Sequence, residues 1–116
     1  MNLLFVATRR PHGSIVAQEG LDALLMASAF TSAEALFLDD GVWQLVRGQD
    51  TEALGIKDFS RTFGALADYG VTGLYCRDSD LADRNLTPAD LVVDVTPLDD
   101  DGVRSRLDSA DRVFTF

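Results

Sequence analysis

The chain has 116 residues, 47% of them hydrophobic and 25% charged, which fits one globular domain and excludes a disordered chain. Ten basic residues against 19 acidic ones leave a net charge of −9, which excludes direct gripping of a nucleic-acid backbone, since that needs clustered positive charge. A single cysteine, Cys76, excludes an internal disulfide and any paired-cysteine redox or zinc motif, and a single histidine, His12, excludes a His-rich metal site.

Within these totals the acids are sixteen Asp and three Glu, and the bases are nine Arg and one Lys, Lys57. Codon bias in a GC-rich genome is the simpler explanation; adaptation to high salt leaves the same trace. The basic pair Arg9-Arg10 follows the apolar amino end instead of preceding it, the wrong order for a secretory signal. No apolar run approaches the ~20 residues that span a bilayer. A reduced, cytoplasmic setting and no membrane contact are therefore expected.

The first element is a short continuous apolar run, Leu3–Ala7, ended by Pro11, His12 and Gly13. Such a run reads as a strand buried on both faces. Ser14 then caps a helix to about Phe30, with Ala17, Leu21, Leu24, Leu25 and Ser28 on one stripe. Gly20 lies inside it at a cost of about 1 kcal/mol relative to Ala. Ala35–Leu38 is the second strand, stopped by Asp39-Asp40-Gly41, and Val42–Val46 is a short apolar segment. Asp58 or Ser60 starts a further helix, with Phe59, Phe63, Leu66 and Ala67 on one side, ended by Gly70. Val71–Tyr75 is the third strand with Cys76 at its end, and Asp78 or Ser79 caps a short helix through Asn85. Leu91–Val95 is the fourth strand. Thr96 caps the next helix, with Pro97 at its first position, where proline is favoured. Asp111–Phe116 is the last strand.

Strands and helices thus alternate. Right-handed crossovers turn that pattern into a parallel sheet with helices on both faces. The expectation is a single-domain, flavodoxin-like α/β three-layer sandwich over residues 1–116, with five strands in the order 2-1-3-4-5.

In such a sheet, ligands bind beyond the carboxyl ends of the strands, at the switch point between strands 1 and 3, which are neighbours in that order. Arg9, Arg10 and His12 would then meet Cys76 in one crevice. The following helix start and Arg77 favour a Cys76 thiolate, while Asp78, Asp80 and Asp83 oppose it. Two readings stay open: a reactive thiol, or a buried inert one. Trp43, with Val42 and Leu45, is either core or an interface anchor. Val113, Phe114 and Phe116 are either core or an edge awaiting a partner.

Other chemistries fail on spacing. No GxGxxG follows the first strand and no GxxxxGK[ST] occurs, so neither dinucleotide nor P-loop binding is supported. The acids in Arg77-Asp78-Ser79-Asp80 would repel a phosphate. No cofactor and no metal are expected.

Taken together, Pro11-His12-Gly13, Glu19-Gly20-Leu21-Asp22-Ala23-Leu24-Leu25, Asp40-Gly41-Val42-Trp43-Gln44-Leu45 and Gly48-Gln49 resemble the DsrE/DsrF-like family, and within it the TusC (DsrF) branch. The resemblance covers essentially the whole chain. It implies a subunit of a cytoplasmic sulfur-relay complex of the TusBCD type, a heterohexamer with TusB-like and TusD-like partners. Such a complex takes persulfide sulfur from a TusA-like carrier and passes it to a TusE-like one, for 2-thiolation of a tRNA wobble uridine. The related DsrEFH complex serves sulfur oxidation. In the family the principal sulfur-carrying cysteine belongs to the TusD (DsrE) subunit, at the end of the strand that Cys76 ends here. Around Cys76 the match is offset by about one residue, and Asn85 stands where glycine is expected. The resemblance therefore implies an auxiliary, non-catalytic subunit first, and a direct persulfide carrier through Cys76 second. A small-anion-binding flavodoxin-like module ranks last.

Overall fold

The apolar run at the amino end becomes β1 (Asn2–Ala7), and four more strands complete one parallel sheet: β2 (Ser32–Phe37), β3 (Gly73–Arg77), β4 (Thr96–Leu98) and β5 (Arg112–Thr115). The computed structural model describes residues 2–8, 22–24, 26–45, 71, 73–91 and 95–116. The strand alternation sorts side chains onto two faces. Phe5, Ala33, Ala35, Phe37 and Cys76 share one face with Leu24, Val42, Leu45, Leu81 and Leu91. Leu4, Val6 and Leu36 share the other with Val103. The first face is covered by the helical residues 22–24 and 26–28, the 3-10 helix Asp39–Leu45 and the helix Asp78–Asp83. The second is covered by the helix Asp100–Ser109. Each fully buried Leu or Phe contributes roughly 1.5–3 kcal/mol of apolar transfer.

The α/β class, the parallel sheet and the helices on both faces agree with the sequence reading. The strand order does not: it is 4-3-2-1-5 instead of 2-1-3-4-5. The physical reason lies in β2. Its residues Ala33 to Phe37 are all buried, which fits a central strand flanked on both sides. β5 is exposed along its whole length, which fits an edge. β2 therefore separates β1 from β3, which lie two strand spacings apart, about 10 Å.

Three boundaries also shift. β2 begins three residues earlier than its apolar run, because Glu34 is buried in it. Arg106 donates to one Glu34 oxygen at 3.3 Å and the Asn2 amide to the other at 3.2 Å. The same Arg106 lies 4.2 Å from the ring centre of Tyr75, so this cluster ties the Asp100–Ser109 helix to β2 and β3. β3 starts at Gly73, where an added Cβ would meet the Tyr75 hydroxyl and Glu34. The fourth strand among the described residues is Thr96–Leu98; of the expected strand Leu91–Val95, residues 92–94 lie outside the described residues. Thr96 and Pro97 thus belong to a strand, and Asp99 caps the helix, accepting from the Gly102 N–H at 2.7 Å. A carboxylate one residue before two further acids outcompetes the Thr-Pro signal, since Asp is a strong cap and first-turn acids suit the helix dipole. Pro97 is tolerated because β4 is an edge. The expected helix near 58–70 lies outside the described residues.

Gly41 explains part of the Asp40-to-Leu45 block. A Cβ there would sit 1.9 Å from the Ala7 carbonyl oxygen, so the 3-10 helix lies directly on the end of β1. Gly41→Ala is expected to destabilise the chain by about 3 kcal/mol, the upper end of overpacking costs. Urea unfolding checks this: the midpoint should fall with an unchanged slope.

Candidate functional site

The carboxyl ends of β1, β2 and β3 carry the residues with chemical potential. Cys76 sits in β3 between Phe37 of β2 and Pro97 of β4 in the ladder. Its side chain points to the face that holds Phe37, Leu81 and Leu91, and it is 0% exposed. Above it, the chain leaves β3 through Arg77 into the six-residue helix Asp78–Asp83.

That helix is fastened by Asp80, which is only 3% exposed. Arg77 grips its carboxylate with two nitrogens, Nε and Nη2, each at 3.0 Å. The Asp39 backbone N–H donates to it at 2.8 Å. Arg84 stands 3.8 Å away, and also donates to the Asp80 carbonyl at 3.1 Å and to Asp40 at 3.2 Å. Arg77 reaches the Asp39 carboxylate as well, at 3.1 Å. Asp39 itself adopts φ 51°, a left-handed conformation that Asp tolerates better than most residues. Asp39 therefore turns its N–H toward Asp80 where the chain leaves β2. One buried carboxylate thus joins the 3-10 helix, the end of β3 and the helix Asp78–Asp83.

These charges govern Cys76. Burial pushes its thiol up to about 11, and the carboxylates of Asp80 and Asp78 add to the shift. Arg77 does not offset them, because its guanidinium is neutralised by Asp80 and Asp39; the Asp80 hydrogen bond holds Arg77 above its ordinary value. A nucleophilic thiol needs access and positive potential. Cys76 has no exposed surface, and the described residues give it no positive potential.

Arg9, Arg10 and His12 lie outside the described residues. Their expected meeting with Cys76 rested on β1 and β3 being neighbours, and β2 stands between those strands. Val42 and Leu45 are 0% exposed and belong to the core, because the 3-10 helix turns both inward; of the two roles left open for them, this is the core one. Trp43, between them, is partly exposed. Phe114 is 41% exposed, and Phe116 is half-buried against the Phe5 face. Among the described residues no group of three His, Cys, Asp or Glu side chains could hold a metal ion, and no helix is long and apolar enough to cross a membrane.

Asp80 was missed as a structural centre. Its signal was present: Arg77 precedes it by three residues and Arg84 follows by four, both helical pairing distances. Burial of the acid between them is a tertiary property that spacing does not carry.

Comparison with known proteins identifies the family and agrees with the fold. The model of the DsrE/DsrF-like family matches residues 1–116, and the chain belongs to that family. It is 44% identical over 90 residues to the intracellular sulfur oxidation protein DsrF of Allochromatium vinosum, an alignment covering 77% of this chain and 66% of DsrF. It is 38% identical over 116 residues to protein TusC of Escherichia coli O127:H6, covering 98% of each. Among solved structures, the ychN protein of E. coli superposes with a TM-score of 0.84 at 20% identity, over 99% of this chain and 98% of that one, which establishes a shared fold.

Two outcomes follow from the Asp80 arrangement. The Cys76 thiol, raised from 9.0 to about 11, stabilises the fold fully below pH 9, and that contribution is lost as the pH climbs through about 11. At pH 8 it should react with a disulfide reagent about a hundredfold more slowly than in the unfolded chain, from its thiolate fraction alone. Asp80→Asn should lower the thiol pKa and cost about 3 kcal/mol, because it removes the charge from a buried pair. Stopped-flow thiol titration against pH, beside urea unfolding, measures both.

Proposed function

We propose that this chain, as a member of the DsrE/DsrF-like family, is an auxiliary subunit of a cytoplasmic sulfurtransferase complex of the TusBCD type. Its partners are TusB-like and TusD-like chains in a heterohexamer, and it does not itself carry sulfur. The observation that carries this reading is the sealed Cys76, with Asp80 and Asp78 adding negative charge above it. A persulfide carrier must present its sulfur to two successive protein partners, and a thiol with no exposed surface cannot do so. The complex receives persulfide sulfur from a TusA-like carrier and delivers it through a TusE-like one to 2-thiolation of tRNA wobble uridine. Full-length similarity to TusC supports that assignment. The net charge of −9 supports a role upstream of the tRNA, without direct contact.

A second reading places the chain in a DsrEFH-type complex of sulfur oxidation. The 44% identity to DsrF favours it. Both readings share the auxiliary role and differ in where the sulfur goes.

In either complex Trp43, Phe114 and Phe116 are the proposed interface residues. A Trp43→Ala chain should assemble at least about tenfold more weakly, as hot-spot truncations do.

The central test replaces Cys76 with Ala in cells that lack the native chain. The expected result is an intact complex and wild-type levels of 2-thiouridine in tRNA. Loss of thiolation from a fully assembled complex would overturn the auxiliary role and make Cys76 the carrier. If deleting the whole chain leaves tRNA thiolation untouched and stops sulfur oxidation, the second reading stands.

A further inference from the structure

The two edges of the sheet are treated differently. β4 has three residues, and one is Pro97, which has no N–H to offer. Natural proteins blunt edges in this way, with short strands, proline, lysine or bulges. β5 is only one residue longer and bears one charge, Arg112, but it has no proline and no bulge: it reads Arg112-Val113-Phe114-Thr115, pairs in regular register with β1, and exposes all four residues.

The ladder shows which backbone groups face outward. The Phe116 N–H donates to the Val6 carbonyl at 2.8 Å, and the Thr8 N–H donates to the Phe116 carbonyl at 2.9 Å. In a parallel ladder alternate residues bond to opposite sides, so Phe114 and Phe116 bond toward β1. The N–H and C=O groups of Val113 and Thr115 then point away from the sheet. Only another extended strand meets such a row with matching donors and acceptors.

Side chains define that strand further. Val113 and Phe114 lie on opposite faces of β5 and are 43% and 41% exposed. Phe114 stacks on Phe5 at 5.3 Å, and Phe116 stacks on the same ring at 6.0 Å, so the apolar surface is held in place before anything binds. Arg112 is exposed and has no ion-pair partner among the described residues, in a chain with 19 acids. A second copy would bring a like charge of −9 to this edge, which opposes self-pairing.

We infer that the outer edge of β5 is a strand-addition site for an apolar strand of a different polypeptide, one that carries a carboxylate where it passes Arg112. This inference rests on the subunit reading and names the surface through which the subunit is held. It also gives Phe114 a definite job, since an added strand would cover its exposed part.

Hydrogen exchange tests it on the complex obtained by co-expressing this chain with the other DsrE/DsrF-like chains of its own genome. In the isolated chain the amides of Val113 and Thr115 should exchange fast and that of Phe116 slowly. In the complex the first two should slow at least about a hundredfold, as newly bonded amides do. Val113→Pro removes one outward N–H and leaves the β1 ladder whole, so the variant should fold and assemble at least about tenfold more weakly. Arg112→Glu should weaken assembly too, by a factor that shrinks as salt is raised. A complex in which the Val113 and Thr115 amides still exchange fast overturns the inference and leaves the subunit reading standing. Protection of the same amides in a homodimer of the isolated chain also overturns it, in favour of a second copy. Failure to form any complex with family chains removes the subunit reading itself, and the inference with it.

Discussion

The Asp80 carboxylate is the interaction on which the carboxyl end of the sheet depends. Taking a carboxylate out of water costs several kcal/mol, and the cost is met only if charges and hydrogen bonds surround it closely. Here Arg77 supplies two nitrogens, the Asp39 backbone supplies a third donor, and Arg84 supplies a second cation. Those partners come from three different elements. The carboxylate therefore sets the position of each against the others, which apolar contacts alone do not do. Asp39 holds a left-handed conformation at this point, and its bond to Asp80 is one interaction that offsets the strain.

This arrangement also decides what the single cysteine can be. Leu81 on the helix fastened by Asp80 packs in the same cluster as Cys76. The anchor itself is negative, so the group that seals the thiol also disfavours its ionised form. Cover and charge act in the same direction. Opening such a site needs more than a rotamer change, because moving the helix separates Asp80 from the Asp39 N–H and Arg84 from Asp40.

Much of the fold was legible in the sequence because hydrophobic period and turn residues report directly on parallel sheets. Leu3–Ala7 read as a strand because it is buried on both faces, and the structure places it between β2 and β5. The strand order was not legible. It follows from how completely each strand is buried, and short apolar runs such as Ala35–Leu38 and Val71–Tyr75 look alike before they are packed. Glu34 hid the start of β2, because a charged residue reads as surface until Arg106 and Asn2 are known to lie against it. Likewise Thr96-Pro97 imitates a helix start, and Asp99 prevails only because its side chain reaches the Gly102 N–H. At the candidate site, Cys76 and Arg77 were picked out by residue type. Asp80, which controls both, looked like one acid among many.

The distribution of charge connects the site to the way the subunit works. Among the described residues at the carboxyl ends of β2 and β3, Arg77 pairs with Asp39 and Asp80, and Arg84 with Asp40 and Asp80, while Asp78 and Asp83 add two more acids on the same short helix. Both arginines are held by carboxylates, so neither is left to receive a small anion or an RNA phosphate. Among the described residues, the ends of β2 and β3 are occupied by their own ion pairs. The β5 edge is the reverse: apolar side chains on both faces, outward backbone groups, and a cation, Arg112, with no ion-pair partner among the described residues. A sheet edge left open in this way suits contact with another polypeptide more than binding of a small anion, and the −9 net charge opposes both a nucleic-acid backbone and a second copy at that edge.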